Sequence, residues 1–158
     1  MKTNSLEKAF DHLSKDSVMN FLIHEFSNKI DWGNRFSKNN AKSIANLIIE
    51  QQISFKAAIT VKKRFSELTK NKTNSDILNI PDNEIQSLGL SHRKVEYIKN
   101  TLQFFKNNDV EFNKLTDDEV INELTKIKGV GEWTAQMFLI FNLFRKDIFS
   151  PKDLALIN

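Results

Sequence analysis

In the segment Leu124-Thr-Lys-Ile-Lys-Gly-Val-Gly-Glu-Trp-Thr-Ala135, two glycines, Gly129 and Gly131, flank one apolar residue, Val130. A turn built this way leaves its backbone uncovered by side chains. If a helix begins at the second glycine, its first N–H groups point outward with the positive end of the helix dipole, an arrangement that accepts a phosphate oxygen. A Gly-x-Gly turn also serves simply to let two helices pack closely, and the pattern alone leaves both uses open. Few other side chains suggest chemistry. His12, His24 and His92 show no metal spacing. Asp153 falls in the first turn after Ser150-Pro151, where an acid also suits the helix dipole, and Asp118 and Asp147 read as solvated.

The elements that must position these residues read as helices. Val18, Phe21, Leu22 and Phe26 mark one apolar stripe, and Ile44, Leu47 and Ile48 begin another after the polar Ser37-Lys38-Asn39-Asn40. Phe55, Ile59, Phe65 and Leu68 continue the spacing on a lysine-rich helix, and Val95, Ile98, Leu102 and Phe105 repeat it on a long one. Thr116 and Glu119 form a capping box that opens a helix with Val120, Ile121, Leu124 and Ile127 inward and its stop at Gly129. Gly131 opens an apolar segment through Trp133, Met137, Phe138, Phe141 and Phe144, and Ser150-Pro151 predicts the start of a last helix. Residues 71–75 form the most polar connection.

Composition sets the class. The chain has 158 residues, 40% hydrophobic and 27% charged, with 13 phenylalanines, too apolar for a disordered tail and too polar for a membrane bundle. Four glycines and two prolines are too few for the hairpins of a β-rich fold. The absence of cysteine excludes a disulfide framework, a cysteine zinc site, a cysteine nucleophile and a cysteine-ligated iron–sulfur cluster. The net charge of +3 is uneven: residues 54–106 carry 10 Lys and Arg against 5 Asp and Glu. A basic middle suits a nucleic-acid face, although a solvated lysine-rich helix surface is the commoner cause. With no leader-like start and no run of 18 apolar residues, the expectation is a soluble protein inside the cell, in the cytoplasm or with the nucleoid, or in the nucleus of a eukaryote.

Lys-Gly-Val-Gly-Glu-Trp-Thr-Ala between two amphipathic helices resembles the helix-hairpin-helix of DNA glycosylases in base excision repair. Upstream, Ile49-Glu-Gln-Gln-Ile-Ser-Phe-Lys-Ala-Ala58 is similar to the family's Gln-Gln-aliphatic-Ser segment, and Leu88-Gly-Leu-Ser-His-Arg-Lys-Val-Glu-Tyr-Ile98 to its Gly-Leu-Ser-x-x-Lys segment. Downstream, Asp147-Ile-Phe-Ser-Pro-Lys-Asp-Leu154 resembles the stretch that ends in the catalytic aspartate. The four blocks stand in family order across roughly residues 40–158, and they look most like the 3-methyladenine DNA glycosylase II branch.

That resemblance implies an all-α helix-hairpin-helix glycosylase fold, with two helical subdomains and the active-site cleft between them. Residues 40–115 would be the central subdomain, and 116–158 with 1–39 a second one holding the hairpin at 129–131. Further helices follow the aspartate in the family, and a chain ending at Asn158 is expected to lack them. The implied activity is hydrolysis of the N-glycosidic bond of alkylated purines such as 3-methyladenine after base flipping, with Asp153 catalytic. An alkylated purine is cationic and leaves readily, so one carboxylate that stabilises the oxocarbenium-like sugar and positions water suffices. Members that also nick the strand carry a lysine two residues after the second hairpin glycine; Trp133 stands there, which implies a monofunctional enzyme.

The implied DNA contacts are Gly129, Val130, Gly131 and Thr134 at the hairpin, Gln51, Gln52, Ile53 and Ser54 at the minor groove, and Ser91, Arg93 and Lys94 at a second loop. Trp133 and Met137 would line the base pocket, Trp133 offering its indole face to a cationic purine, with Trp32 and Phe36 as weaker candidates. No cofactor is required, and a structural monovalent cation is expected on the carbonyls of Thr125, Ile127 and Val130. The expected partner is double-stranded DNA containing alkylated bases, bound by a monomer with no membrane role. The competing reading is a non-catalytic helix-hairpin-helix DNA-binding or damage-sensing protein, followed by a helical protein-interaction module.

Overall fold

The computed structural model describes residues 3–29, 36–151 and 153. The described residues are all-helical, without a strand, as the glycine scarcity and the helical spacing predict. The chain divides into two compact units, Met1–Arg35 and Phe36–Asn158.

The first unit holds α1 (Thr3–Leu13) and α2 (Ser17–Phe26), joined where the Asp16 carboxylate accepts the Val18 and Met19 N–H groups. The stripe of Val18, Phe21, Leu22 and Phe26 lies on α2 but stays exposed, Phe21 at 61%. Two short helices supply too little opposing surface to bury it.

The second unit is organised around α3 (Asn40–Glu50), which is buried on nearly every side through Ala41, Ile44, Ala45, Leu47, Ile48 and Ile49. A helix apolar around most of its circumference needs neighbours on several faces. Those neighbours are α4 (Phe55–Leu68), α7 (His92–Asn107) and α9 (Glu132–Phe141). Two five-residue helices, α5 (Asn74–Leu78) and α6 (Asp82–Gln86), pack on α7, and α8 (Asp117–Thr125) packs on α9. Val95, Ile98 and Leu102 from α7, Val120 and Leu124 from α8 and Phe138 from α9 complete the core.

Local side chains begin most of these helices. Asn39, Ser54 and Ser91 each accept a backbone N–H at the start of α3, α4 and α7, and Thr116 with Glu119 makes the predicted capping box of α8. A second box, Thr73 with Asp76, opens α5 inside the stretch 71–75 expected as a connection. On α4 the buried residues are Ala58, Val61 and Phe65, while Phe55 is 74% exposed and Ile59 50% exposed. The predicted stripe is therefore rotated: Ile59 stands about 100° round from Ala58, away from α3. Helix α8 ends at Thr125, four residues before Gly129, because the Leu124 carbonyl accepts the Ile127 N–H at 3.1 Å and tightens the chain into successive turns. Ser150 accepts the Asp153 N–H at 3.0 Å in a turn, and the rest of the predicted last helix lies outside the described residues.

Candidate functional site

The hairpin between α8 and α9 closes on itself before it opens outward. Val130 N–H donates to the Ile127 carbonyl at 2.9 Å, and Gly129 takes a left-handed φ of 101°. A Cβ at Gly129 would overlap the ring of Tyr97, which α7 packs onto the turn. Gly131 differs on both counts: its φ of −97° suits any residue, and nothing lies within 4 Å of where its Cβ would stand. It is the N-cap of α9 and no side chain caps that end. The N–H groups that open α9 therefore have no side-chain cap and start at an uncovered glycine, an arrangement that leaves room for an anion.

At that same end of α9, Trp133 is half-buried and its Nε1–H donates to Asp153 Oδ2 at 3.1 Å. The indole thus holds the predicted catalytic carboxylate beside the start of the helix. Met137, one turn on, is buried. Phe36 is not brought to this place: it stacks on Phe144, centroids 5.6 Å apart, beyond the far end of α9. The ten residues of α9 make that distance about 15 Å along the helix. Trp32 lies outside the described residues.

The 51–54 turn joins α3 to α4. Gln52 has a φ of 55° and is exposed, Ile53 is 37% exposed, and Ser54 caps α4 by accepting the Ala57 N–H. Gln51 faces inward. Its Nε2 donates to the Gly129 carbonyl at 3.2 Å and to Thr134 Oγ1 at 3.0 Å, and Thr134 is itself buried. Lys94, an implied DNA contact of the second loop, also turns in, donating to the carbonyls of Ile49 at 2.9 Å and Gln51 at 2.5 Å. Burial lowers its pKa from the usual lysine value. Ser91 caps α7 and is exposed; exposed Arg93 donates from Nε to Tyr97 Oη and lies over that ring.

The basic middle of the sequence is partly spent inside the fold. Of its ten cations, Lys62, Arg64, Lys94 and Lys99 reach Glu50, the Leu88 carbonyl, the end of α3 and Asp82, and Arg93 reaches Tyr97. One cation at the hairpin was not singled out by sequence: Lys128, whose ammonium pairs with Glu96 at 2.6 Å. Its position beside Gly129 in the sequence was the available signal.

The carbonyl of Thr125 ends α8 and those of Ile127 and Val130 lie in the turns that follow, the Ile127 carbonyl already accepting one N–H. His12, His24 and His92 are exposed, and no group of three or more His, Asp or Glu side chains among the described residues could hold a metal ion. Among those residues, no helix is long and apolar enough to cross a membrane.

Residues 45–158 match the model of the HhH-GPD superfamily base excision DNA repair proteins. The chain belongs to that superfamily. DNA-3-methyladenine glycosylase 1 of Schizosaccharomyces pombe is 30% identical over 162 residues, covering 98% of this chain and 71% of that protein. DNA-3-methyladenine glycosylase of Saccharomyces cerevisiae is 36% identical over 126 residues, 72% of this chain and 43% of that protein. Two solved members align over 94% of the chain. The Schizosaccharomyces pombe 3-methyladenine DNA glycosylase in complex with abasic DNA has a TM-score of 0.84 at 29% identity and is covered to 76%. The 3-methyladenine DNA glycosylase of Archaeoglobus fulgidus has a TM-score of 0.78 at 28% identity and is covered to 54%.

Proposed function

We propose that the chain binds duplex DNA through the start of α9 and hydrolyses the N-glycosidic bond of alkylated purines, leaving an abasic site. One observation carries this reading: the outward N–H groups of α9 and the Trp133–Asp153 pair occupy the same helix end. A phosphate held by those amides fixes the strand, and a nucleotide flipped from the stack presents its sugar to the carboxylate. The base leaves as a neutral purine once the bond breaks, so the enzyme's task is the developing sugar cation and the attacking water. Asp153 serves both, by its negative charge and by accepting a water proton. Trp133 supplies no amine for a Schiff base, which makes the enzyme monofunctional.

Kinship with the yeast glycosylases supports the substrate class, and exposed Gln52 and Ile53 are the side chains available at the apex of the 51–54 turn to enter the minor groove. The carbonyls of Thr125, Ile127 and Val130 are hard neutral donors whose chemistry suits a monovalent cation, which would brace the hairpin against phosphate. The protein would act as a monomer. Asp153→Asn tests the reading: release of 3-methyladenine from alkylated duplex should fall by at least about 100-fold, while affinity for an abasic-site duplex stays close to the parent's. Normal turnover by that variant would remove Asp153 from the chemistry. Tight binding by the unaltered chain with no base release would favour a damage sensor.

A further inference from the structure

The two turns assigned to DNA are tied together by a chain of hydrogen bonds through Lys94 and Gln51. Lys94 reaches from the first turn of α7 to the carbonyls of Ile49 and Gln51 at the end of α3. Gln51 then extends from that helix end to the Gly129 carbonyl of the hairpin and to Thr134 in the first turn of α9. A further tie comes from α4, where Lys62 pairs with Glu50, the residue before Gln51. The family resemblance implies DNA contact for both, Gln51 at the minor groove and Lys94 at the second loop. Both amide N–H groups of Gln51 and two of the three ammonium N–H groups of Lys94 are committed to protein acceptors.

We infer that Gln51 and Lys94 are positioning residues, forming a brace that sets the 52–54 turn against the phosphate-holding hairpin. The inference rests on the glycosylase reading for what the two turns do, and on the hydrogen bonds alone for the brace. The chemistry suits the task. The last carbonyls of a helix carry partial negative charge and no intrahelical partner, so a partly buried ammonium is held there by charge as well as geometry. Gln51 presents its amide N–H groups to two acceptors, one of them backbone, which fixes its side chain against rotation. Flipping a nucleotide requires one loop to occupy the stack while another grips the strand, and misplacing either by an ångström separates binding from catalysis.

Gln51→Glu removes both N–H donors at constant shape, and Lys94→Met removes the ammonium while keeping the stem. Three measurements distinguish a brace from direct DNA contact. Single-turnover base release should fall about ten- to a hundredfold in either variant, with KM moving much less than kcat and equally at every flanking base pair. The slope of log affinity against log salt should be unchanged in Lys94→Met, since no phosphate contact is lost. In the free protein, amide hydrogen exchange should quicken together at residues 52–54 and at the hairpin. A slope shallower by about 0.9 would make Lys94 a phosphate ligand, and a loss that depends on the flanking pair would make Gln51 a base reader. Either result overturns the brace, as does unchanged exchange. Should Lys94→Met fail to fold, Gln51→Glu decides through exchange and context dependence. No base release by the parent chain would sink the glycosylase reading and leave the exchange measurement to judge the brace.

Discussion

Gly129 and Gly131 stand two residues apart in one turn and are glycine for different reasons. Gly129 has a φ of 101° and the Tyr97 ring packed where a side chain would go, so the fold itself demands it. Gly131 has an ordinary extended backbone and open space around it, so nothing within the described protein excludes a larger residue. The two helix starts beside them differ in the same sense. Thr116 and Glu119 satisfy the start of α8 from within, whereas α9 starts at Gly131 with no side-chain cap. Where the protein fills its own hydrogen-bonding need it is building scaffold. Where it leaves amides without a side-chain cap and no Cβ beside them, a ligand has room to bind, and under the function proposed above that ligand is the DNA backbone.

The most severe way to probe this contrast is Gly129→Ala. Left-handed strain and collision with Tyr97 together should cost about 2–4 kcal/mol of unfolding free energy, read from urea denaturation. Tyr97→Ala in the same chain should make the pair less costly than the sum of the singles, because the collision disappears. Full stability of Gly129→Ala would mean that the turn has another conformation.

Gly131→Asp gives α9 the kind of cap that α8 already has. Stability should hold or rise by a few tenths of a kcal/mol, while affinity for abasic-site DNA falls about ten- to a hundredfold, since a carboxylate then occupies the phosphate position. Undiminished DNA affinity would move the phosphate elsewhere. The mirror experiment is Thr116→Ala, which should cost about 1 kcal/mol of stability and leave DNA affinity untouched; a loss of affinity would show that α8 is more than scaffold.

How far the sequence anticipates this depends on the range of each interaction. The box at Thr116 is legible because its partner is three residues away, and Thr73 with Asp76 carries the same local signal in a shorter element. The inward face of α4 is not, since whether Ile59 or Ala58 points to the core depends on where α3 lies. Gly-Val-Gly predicts an open turn, yet only Tyr97, more than thirty residues upstream, tells Gly129 from Gly131. Trp133 and Asp153 each stand out in the sequence, but their bond to one another does not, and neither do the protein acceptors that Gln51 and Lys94 reach. Residue type announces a donor, and only the fold says which acceptor it meets.

The smallest expected effect lies beside the hairpin glycines. Lys128 precedes Gly129, and its ammonium sits 2.6 Å from the Glu96 carboxylate. Its hydrogen bond holds that carboxylate below the usual range, with the positive charge of Lys128, His92 and Arg93 adding, and the same pairing raises Lys128. Because the folded value of Glu96 is the lowered one, the pair's contribution to stability is present above the unfolded value of about 4.3 and fades as the pH falls through the folded value. Both side chains are substantially solvent-exposed, so that contribution is small. Under the proposed function the pair matters for DNA too, because a phosphate at the hairpin would compete with Glu96 for Lys128. Glu96→Gln should raise DNA affinity about two- to threefold and steepen the salt slope by up to about 0.9 as Lys128 joins the contact, with the unfolding midpoint nearly unchanged. An unaltered slope would place Lys128 away from the strand and confine the phosphate contact to the amides of α9.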